Sequence, residues 1–206
     1  MTAETGAASS RTATPGDPFT VLFVCTGNIC RSAMAEVFAR RELASHPGLE
    51  VPLRFSSAGS YAMEGNRAVE ASAVAAEARG ASLERHRARQ LTRRRVAAAD
   101  LILCMEAEHR SPVLALDRAA GKRTFLLGTF ARAIAELERE PPGTAPPASP
   151  AELAALAAER LREQPGDGVD DPYGCPAAAH AACARRLDDL VSTVAASLLK
   201  TVRAPA

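Results

Sequence analysis

The sequence predicts an α/β fold in one domain, a parallel sheet with helices on its faces. Three observations carry that reading. Short apolar or β-branched runs, Val21 to Val24, Val51 to Ser57, Leu101 to Met105 and Arg123 to Leu127, alternate with segments of helical periodicity. The run Leu101-Ile102-Leu103-Cys104-Met105 is apolar at every position, as a strand covered on both faces requires. The 206 residues, 47% of them apolar, suffice for a single core.

The elements follow in order. Met1 to Asp17 is rich in Ala, Thr, Ser and Gly and reads as a disordered tail, so the domain is taken to begin at residue 19. Val21 to Val24 leads into Cys25, and Met34, Val37 and Phe38 share one face of a helix reaching about Ser45. Pro47-Gly48 is a turn, and Ala58-Gly59 ends the second strand at the same sheet edge as Cys25. Tyr61 to Asn66 is a loop, and Arg67 to Arg79 a helix stopped by Gly80. Thr92 is a cap for a short helix through Val96. After the third strand, Glu106 to Asp117 is helical; after the fourth, Thr129 to Glu138. Residues 140–168 carry six prolines and read as an insertion with little fixed structure outside a helical piece from Ala151 to Arg162. Leu187, Leu190, Val191, Val194 and Leu198 form the apolar stripe of a last helix, Ala177 to Thr201.

Bulk properties exclude several classes. The net charge of +1 and the absence of Trp give no nucleic-acid surface. No run of about 18 apolar residues exists to span a membrane. Five cysteines, Cys25, Cys30, Cys104, Cys175 and Cys183, are odd in number and lack disulfide or zinc spacing. A reduced, cytoplasmic setting is expected, with no metal and no cofactor.

The chemistry concentrates in Cys25-Thr26-Gly27-Asn28-Ile29-Cys30-Arg31-Ser32, between the first strand and the first helix. A loop placed there aims backbone N–H groups and the positive helix end at one point, which attracts a phosphate-sized anion. Arg31 offers a planar fork to two oxygens. A helix N-terminus and an arginine lower a cysteine's pKa to roughly 3.5–7.5 and yield the nucleophilic thiolate. A thiolate beside an oxyanion cradle is suited to attack phosphorus. Gly27 and Asn28 tolerate φ > 0, which a loop folded back on a phosphate needs. Ser32 is placed to donate a hydrogen bond to the Cys25 sulfur.

The run Val-Leu-Phe-Val-Cys-Thr-Gly-Asn-Ile-Cys-Arg-Ser-x-Met-Ala-Glu resembles the opening of the low-molecular-weight protein tyrosine phosphatases. The resemblance covers Phe19 to Glu138 and Val169 to Val202. It implies a four-stranded, flavodoxin-like sheet of order 2-1-3-4 and hydrolysis of phosphotyrosine through a cysteinyl-phosphate. Tyrosine-phosphorylated proteins are the implied partners. Cys25 becomes the nucleophile, with Arg31 and the loop Thr26 to Ser32 holding phosphate. In Asp170-Asp171-Pro172-Tyr173-Gly174 it makes Asp171 the general acid, where composition alone leaves Asp170 equally eligible. Tyr173 and Tyr61 then flank the substrate, while Gly174 stands where a second aromatic is common. Ser57 and His86 become partners of Asn28 that hold the loop. Ala33 replaces a proline common in the family, and Cys30 becomes a partner for Cys25 under oxidation. Cys104, Cys175, Cys183, His109 and Glu36 read as structural, and Arg93-Arg94-Arg95 as a solvated face.

Three rivals stay open. A protein arginine phosphatase of the same family tends to carry threonine where Ile29 stands. A thiol-dependent arsenate reductase on this fold needs resolving cysteines on a loop after the third strand; Cys104 is near that place, but no second cysteine follows before Cys175. A module that reads phosphotyrosine without turnover would not need Cys25, Arg31 and Asp171 together.

Overall fold

The computed structural model describes residues 17–46, 52–139 and 146–202. Residues 1–16 of the expected N-terminal tail, the expected Pro47-Gly48 turn, Val51 at the start of the expected second strand and residues 140–145 of the expected insertion lie outside them. Four parallel strands, β1 (Phe19–Cys25), β2 (Leu53–Gly59), β3 (Leu101–Cys104) and β4 (Thr124–Leu126), stand in the order β2-β1-β3-β4. The described residues also hold seven α-helices, α1 (Arg31–Ala44), α2 (Glu70–Glu77), α3 (Arg93–Ala97), α4 (Arg110–Leu116), α5 (Leu127–Leu137), α6 (Pro150–Glu159) and α7 (Ala177–Lys200), and two 3₁₀ turns, Ala107–His109 and Arg118–Arg123.

Side chains alternate across a strand, and the sheet sorts its helices accordingly. Val21, Phe23, Leu101 and Leu103 face α1, α2, α5, α6 and α7 in the larger core. Leu22, Val24, Ile102 and Cys104 face α3 and α4 on the other side. Both faces are covered, which is why β1 and β3 are apolar at nearly every position. The stripe on α7 lies in the larger core, with Leu187, Val191 and Leu198 fully buried. No helix among the described residues is long and apolar enough to cross a membrane.

Several boundaries differ from the sequence reading. The second helix starts at Glu70 instead of Arg67, because the Val69 amide is taken by the Ile29 carbonyl of the loop after β1. The helix expected from Glu106 opens as a 3₁₀ turn, Ala107–His109. There the His109 side chain accepts from the Glu106 amide and closes the turn. Leu127 ends no strand; it begins α5 directly after β4. Thr92 caps α3, accepting from the Arg95 amide. In the insertion, Ser149 caps α6, whose Leu153 and Ala157 enter the larger core. Residues 160–168 hold no helix or strand, yet Asp167 among them is buried.

Leu187 has no exposed surface. Leu187→Ala is expected to cost about 2–5 kcal/mol, the range for deleting a buried leucine side chain. Urea unfolding followed by circular dichroism measures it; a loss under about 1 kcal/mol would mean that the site collapses freely around the smaller residue.

Candidate active site

In an open parallel sheet, ligands sit beyond the carboxyl ends of the strands, where the chain order reverses. Here the reversal lies between β1 and β3. The loop from Cys25 to Arg31 leaves β1 at that point, and Glu106 leaves β3 beside it.

The loop is shaped from outside. The Cys25 carbonyl accepts from Ser60 N (2.9 Å), Thr26 from Tyr61 N (3.0 Å), Gly27 from Met63 N (3.1 Å) and Ile29 from Val69 N (2.9 Å). The Asn28 carbonyl accepts from His86 Nε2 at 2.7 Å. In a trans peptide the N–H points opposite its C=O, and the described residues contain no cis peptide. Outward carbonyls at five successive residues therefore turn the amides of Thr26, Gly27, Asn28, Ile29 and Cys30 inward. The Asn28 amide reaches Cys25 Sγ at 3.3 Å, and Ser32 Oγ lies 2.9 Å from the same sulfur. Gly59 permits this closeness, since a Cβ there would stand 2.4 Å from the Thr26 carbonyl oxygen.

Asn28 fixes the bend. Its φ of 54° is left-handed, and it is wholly buried. Its side-chain nitrogen donates to Ser32 Oγ and Ser57 Oγ, both at 2.9 Å, and its oxygen accepts from Arg89 N at 2.8 Å. Ser57 passes the contact on to the buried Glu36 carboxylate (2.5 Å), which also binds Arg40 and Arg89. The structure thus places Ser57 and His86 directly on Asn28.

Arg31 is 2% exposed. One terminal nitrogen binds Glu106 and the Val169 carbonyl (3.1 Å); the other binds Asp171 Oδ2 at 2.6 Å. Its Nε is buried without a partner. Burial works against the guanidinium charge, but the Glu106 hydrogen bond and nearby negative charge outweigh it and hold Arg31 above its ordinary range. Glu106 is the residue that sequence reasoning missed. Its one signal is its place directly after a buried strand, where such a sheet gathers its ligand groups. His109 binds the site to β3: Glu106 N–H donates to its Nδ1, so its Nε2 carries the proton toward Thr26 Oγ1 at 2.9 Å. Burial, then Arg31, push His109 below the ordinary histidine range and keep it neutral.

Cys25, Ile29, Arg31, Asp171, Tyr61 and Tyr173 border one cavity, together with Met63, which the sequence reading did not name. Asp170 does not line it. Tyr61 and Tyr173 are 78% and 58% exposed, at the rim. All five cysteines are free. Burial pushes the Cys30 thiol up to about 11 against a hydrogen bond from Ser72. Burial likewise pushes the thiols of Cys104 and Cys183 up to about 12 each. Cys175 is exposed instead, on the segment that carries Asp171.

The profile of a family described as low molecular weight phosphotyrosine protein phosphatase matches residues 20–143. The low molecular weight protein-tyrosine-phosphatase Etp of Escherichia coli K12 is 39% identical over 110 residues, 53% of this chain and 70% of that protein. The protein-arginine-phosphatase of Geobacillus stearothermophilus is 35% identical over 113 residues, 55% of this chain and 72% of that protein. The solved structure of the YwlE arginine phosphatase from the same organism superposes with a TM-score of 0.64 at 26% identity. It covers 89% of this chain and 94% of its own.

His86 gives this subsection its test. Burial, only partly offset by the bond to Asn28, holds it below the ordinary histidine range. A depressed histidine contributes stability that is complete above the unfolded value, about 6.5, and is lost as pH falls through the lower folded value. The parent should therefore lose thermal stability more steeply than His86→Gln from about pH 6.5 downward. Thermal unfolding of both across that range measures it, and parallel curves would remove His86 from the account.

Proposed function

The chain belongs to the family of low-molecular-weight phosphotyrosine protein phosphatases, which are cysteine-dependent enzymes, and from that premise we propose that it hydrolyses phosphotyrosine in proteins through a cysteinyl-phosphate. The observation that carries this reading is the outward pairing of five successive loop carbonyls. It leaves the amides of Thr26, Gly27, Ile29 and Cys30 and the unpartnered Nε of Arg31 to receive the oxygens of one phosphoryl group, while the Asn28 amide is turned to Cys25 Sγ beneath it.

The chemistry follows in two steps. The Cys25 thiolate attacks phosphorus, and the sulfur–phosphorus bond forms as the bond to the tyrosyl oxygen breaks. Asp171 gives its proton to that oxygen. Water then attacks the cysteinyl-phosphate, Asp171 takes the water's proton, and phosphate leaves as the thiolate returns. Arg31 and the loop amides stabilise the equatorial oxygens in both transition states. Bound phosphate competes with Asp171 for the Arg31 fork, which frees the carboxyl to face the leaving oxygen. Ser32 and the Asn28 amide supply two hydrogen bonds to the negative sulfur.

The choice of tyrosine rests on the rim. Ile29 is β-branched and nearly buried, and Tyr61 and Tyr173 stand exposed on the border of the cavity. Two tyrosine faces and an apolar wall suit an aromatic leaving group better than a cationic guanidinium. The arginine-phosphatase reading shares the loop and differs only here. The arsenate-reductase reading finds no accessible thiol on the loop after β3: Cys104, the last residue of β3, is fully buried, and the next cysteine along the chain is Cys175.

Two measurements test this. With phosphotyrosine, phosphoserine and phosphoarginine peptides, kcat/KM is expected to be highest for phosphotyrosine, and comparable values for phosphoarginine would displace the reading. In a series of aryl phosphates, Asp171→Ala is expected to slow alkyl-substituted phenyl phosphates by about 10²–10⁴-fold, the usual contribution of a general acid. It should slow p-nitrophenyl phosphate much less, because that leaving group needs little protonation. Asp170→Ala should keep the parental slope; the opposite pattern would move the acid to Asp170.

A further inference from the structure

The segment that delivers Asp171 is fixed to the protein body four residues earlier. Asp167 is 5% exposed. Its Oδ2 accepts from Thr129 Oγ1 (2.7 Å), from the Gln164 amide (2.8 Å) and from Arg132 Nη2 (2.9 Å), and its Oδ1 accepts from Arg132 Nη1. Arg132 also holds the Arg162 carbonyl. Thr129 and Arg132 both belong to α5, and the backbone of Asp167 rests on the same helix. A Cβ on Gly128 would lie 2.3 Å from the Asp167 carbonyl oxygen, so only glycine allows that approach. Two residues on, the Val169 amide binds the Met105 carbonyl at the end of β3 (2.8 Å). The Val169 carbonyl binds Arg31.

We propose that Asp167 is a positioning residue for Asp171: by binding Thr129 and Arg132 of α5 it sets where the acid-bearing segment leaves the body, and so places the Asp171 carboxyl over the leaving oxygen. The inference rests on the assignment of Asp171 as general acid made above. It also gives the second half of the proline-rich insertion a task, since Asp167 and the Arg162 carbonyl hydrogen-bond side chains of α5 and the Gln164 amide braces Asp167. The anchor is a carboxylate at any neutral pH. Burial pushes Asp167 up, but the bonds from Arg132, Thr129 and the Gln164 amide outweigh it and hold it down at about 2. Asparagine at this position keeps the shape and the bond to Thr129 but loses the charge that binds both nitrogens of Arg132.

The test is a leaving-group series on the full chain, with parent, Asp171→Ala, Asp167→Asn and Arg132→Gln side by side. A misplaced catalytic group loses rate, by up to about 10²-fold for an error near 1 Å. Asp167→Asn is expected to slow alkyl-substituted phenyl phosphates markedly more than p-nitrophenyl phosphate, steepening the dependence in the same sense as Asp171→Ala. Inhibition by inorganic phosphate, which reads the loop and Arg31, should change far less. Added to Asp171→Ala, the Asp167→Asn change should not steepen the series further. Arg132→Gln breaks the same contact from a half-buried side chain and serves if Asp167→Asn does not fold. A merely structural anchor would lower the thermal midpoint and leave the leaving-group dependence parental; that result, beside a steep Asp171→Ala series, overturns the positioning role alone. A parental slope in Asp171→Ala itself overturns the acid assignment and this inference with it.

Discussion

The left-handed backbone of Asn28 is the constraint on which the site depends. An L-residue with φ of 54° is strained by about 1 kcal/mol, yet every peptide of the loop takes its direction from that bend. Besides the bond from its amide to Cys25 Sγ, four hydrogen bonds meet at this residue, to Ser32, Ser57, Arg89 and His86. At about 0.5–1.5 kcal/mol net for each, any two of them offset the strain. Asparagine suits the position for two reasons: it tolerates φ > 0, and its amide serves as donor and acceptor at once. Glycine would adopt the same backbone but leave Ser57, Ser32 and the Arg89 amide without their partner.

Around that bend the site settles a second problem, a buried cation. An arginine taken out of water costs several kcal/mol unless it is paired. Arg31 has two carboxylates, Glu106 from the end of β3 and Asp171 from the segment before α7. They act differently. Glu106 holds one terminal nitrogen together with a backbone carbonyl and serves as the fixed counter-charge. Asp171, 42% exposed, sits at the mouth, where in the proposed mechanism an arriving phosphate takes over its share of the fork. The guanidinium is thus neutralised in turn by a resident acid and by the substrate.

Much of this was legible in the sequence because it is local. Strand, loop and helix around Cys25 follow one another within about two dozen residues, and the residue types Gly27, Asn28, Arg31 and Ser32 state the chemistry of the loop. The apolar strands announced a parallel sheet. The strand order, and the parts of Asp171, Ser57 and His86, came only through family resemblance, since nothing in the spacing of these residues ties them to Cys25. Glu106 and Asp167 were invisible for a related reason. Each is an ordinary acidic residue whose meaning lies in a distant partner, Arg31 in one case and α5 in the other. Glu106 was absorbed into an expected helix, and Asp167 into a stretch whose prolines argued against fixed structure. The start of α2 was misplaced because the Val69 amide belongs to the loop after β1, a tertiary claim that no helical period can reveal.

The ion pair between Arg31 and Asp171 spans 140 positions of sequence, and that between Arg31 and Glu106 spans 75. Contacts so remote are costly to close, because the loops between them must give up their freedom. Under the roles proposed above, the last quarter of the chain supplies the acid, Asp171, and with α7 a large part of the core on which α1 rests. Turnover of a poor leaving group is therefore a stricter gauge of complete folding than helical content or phosphate binding, and it requires both ends of the domain to have met.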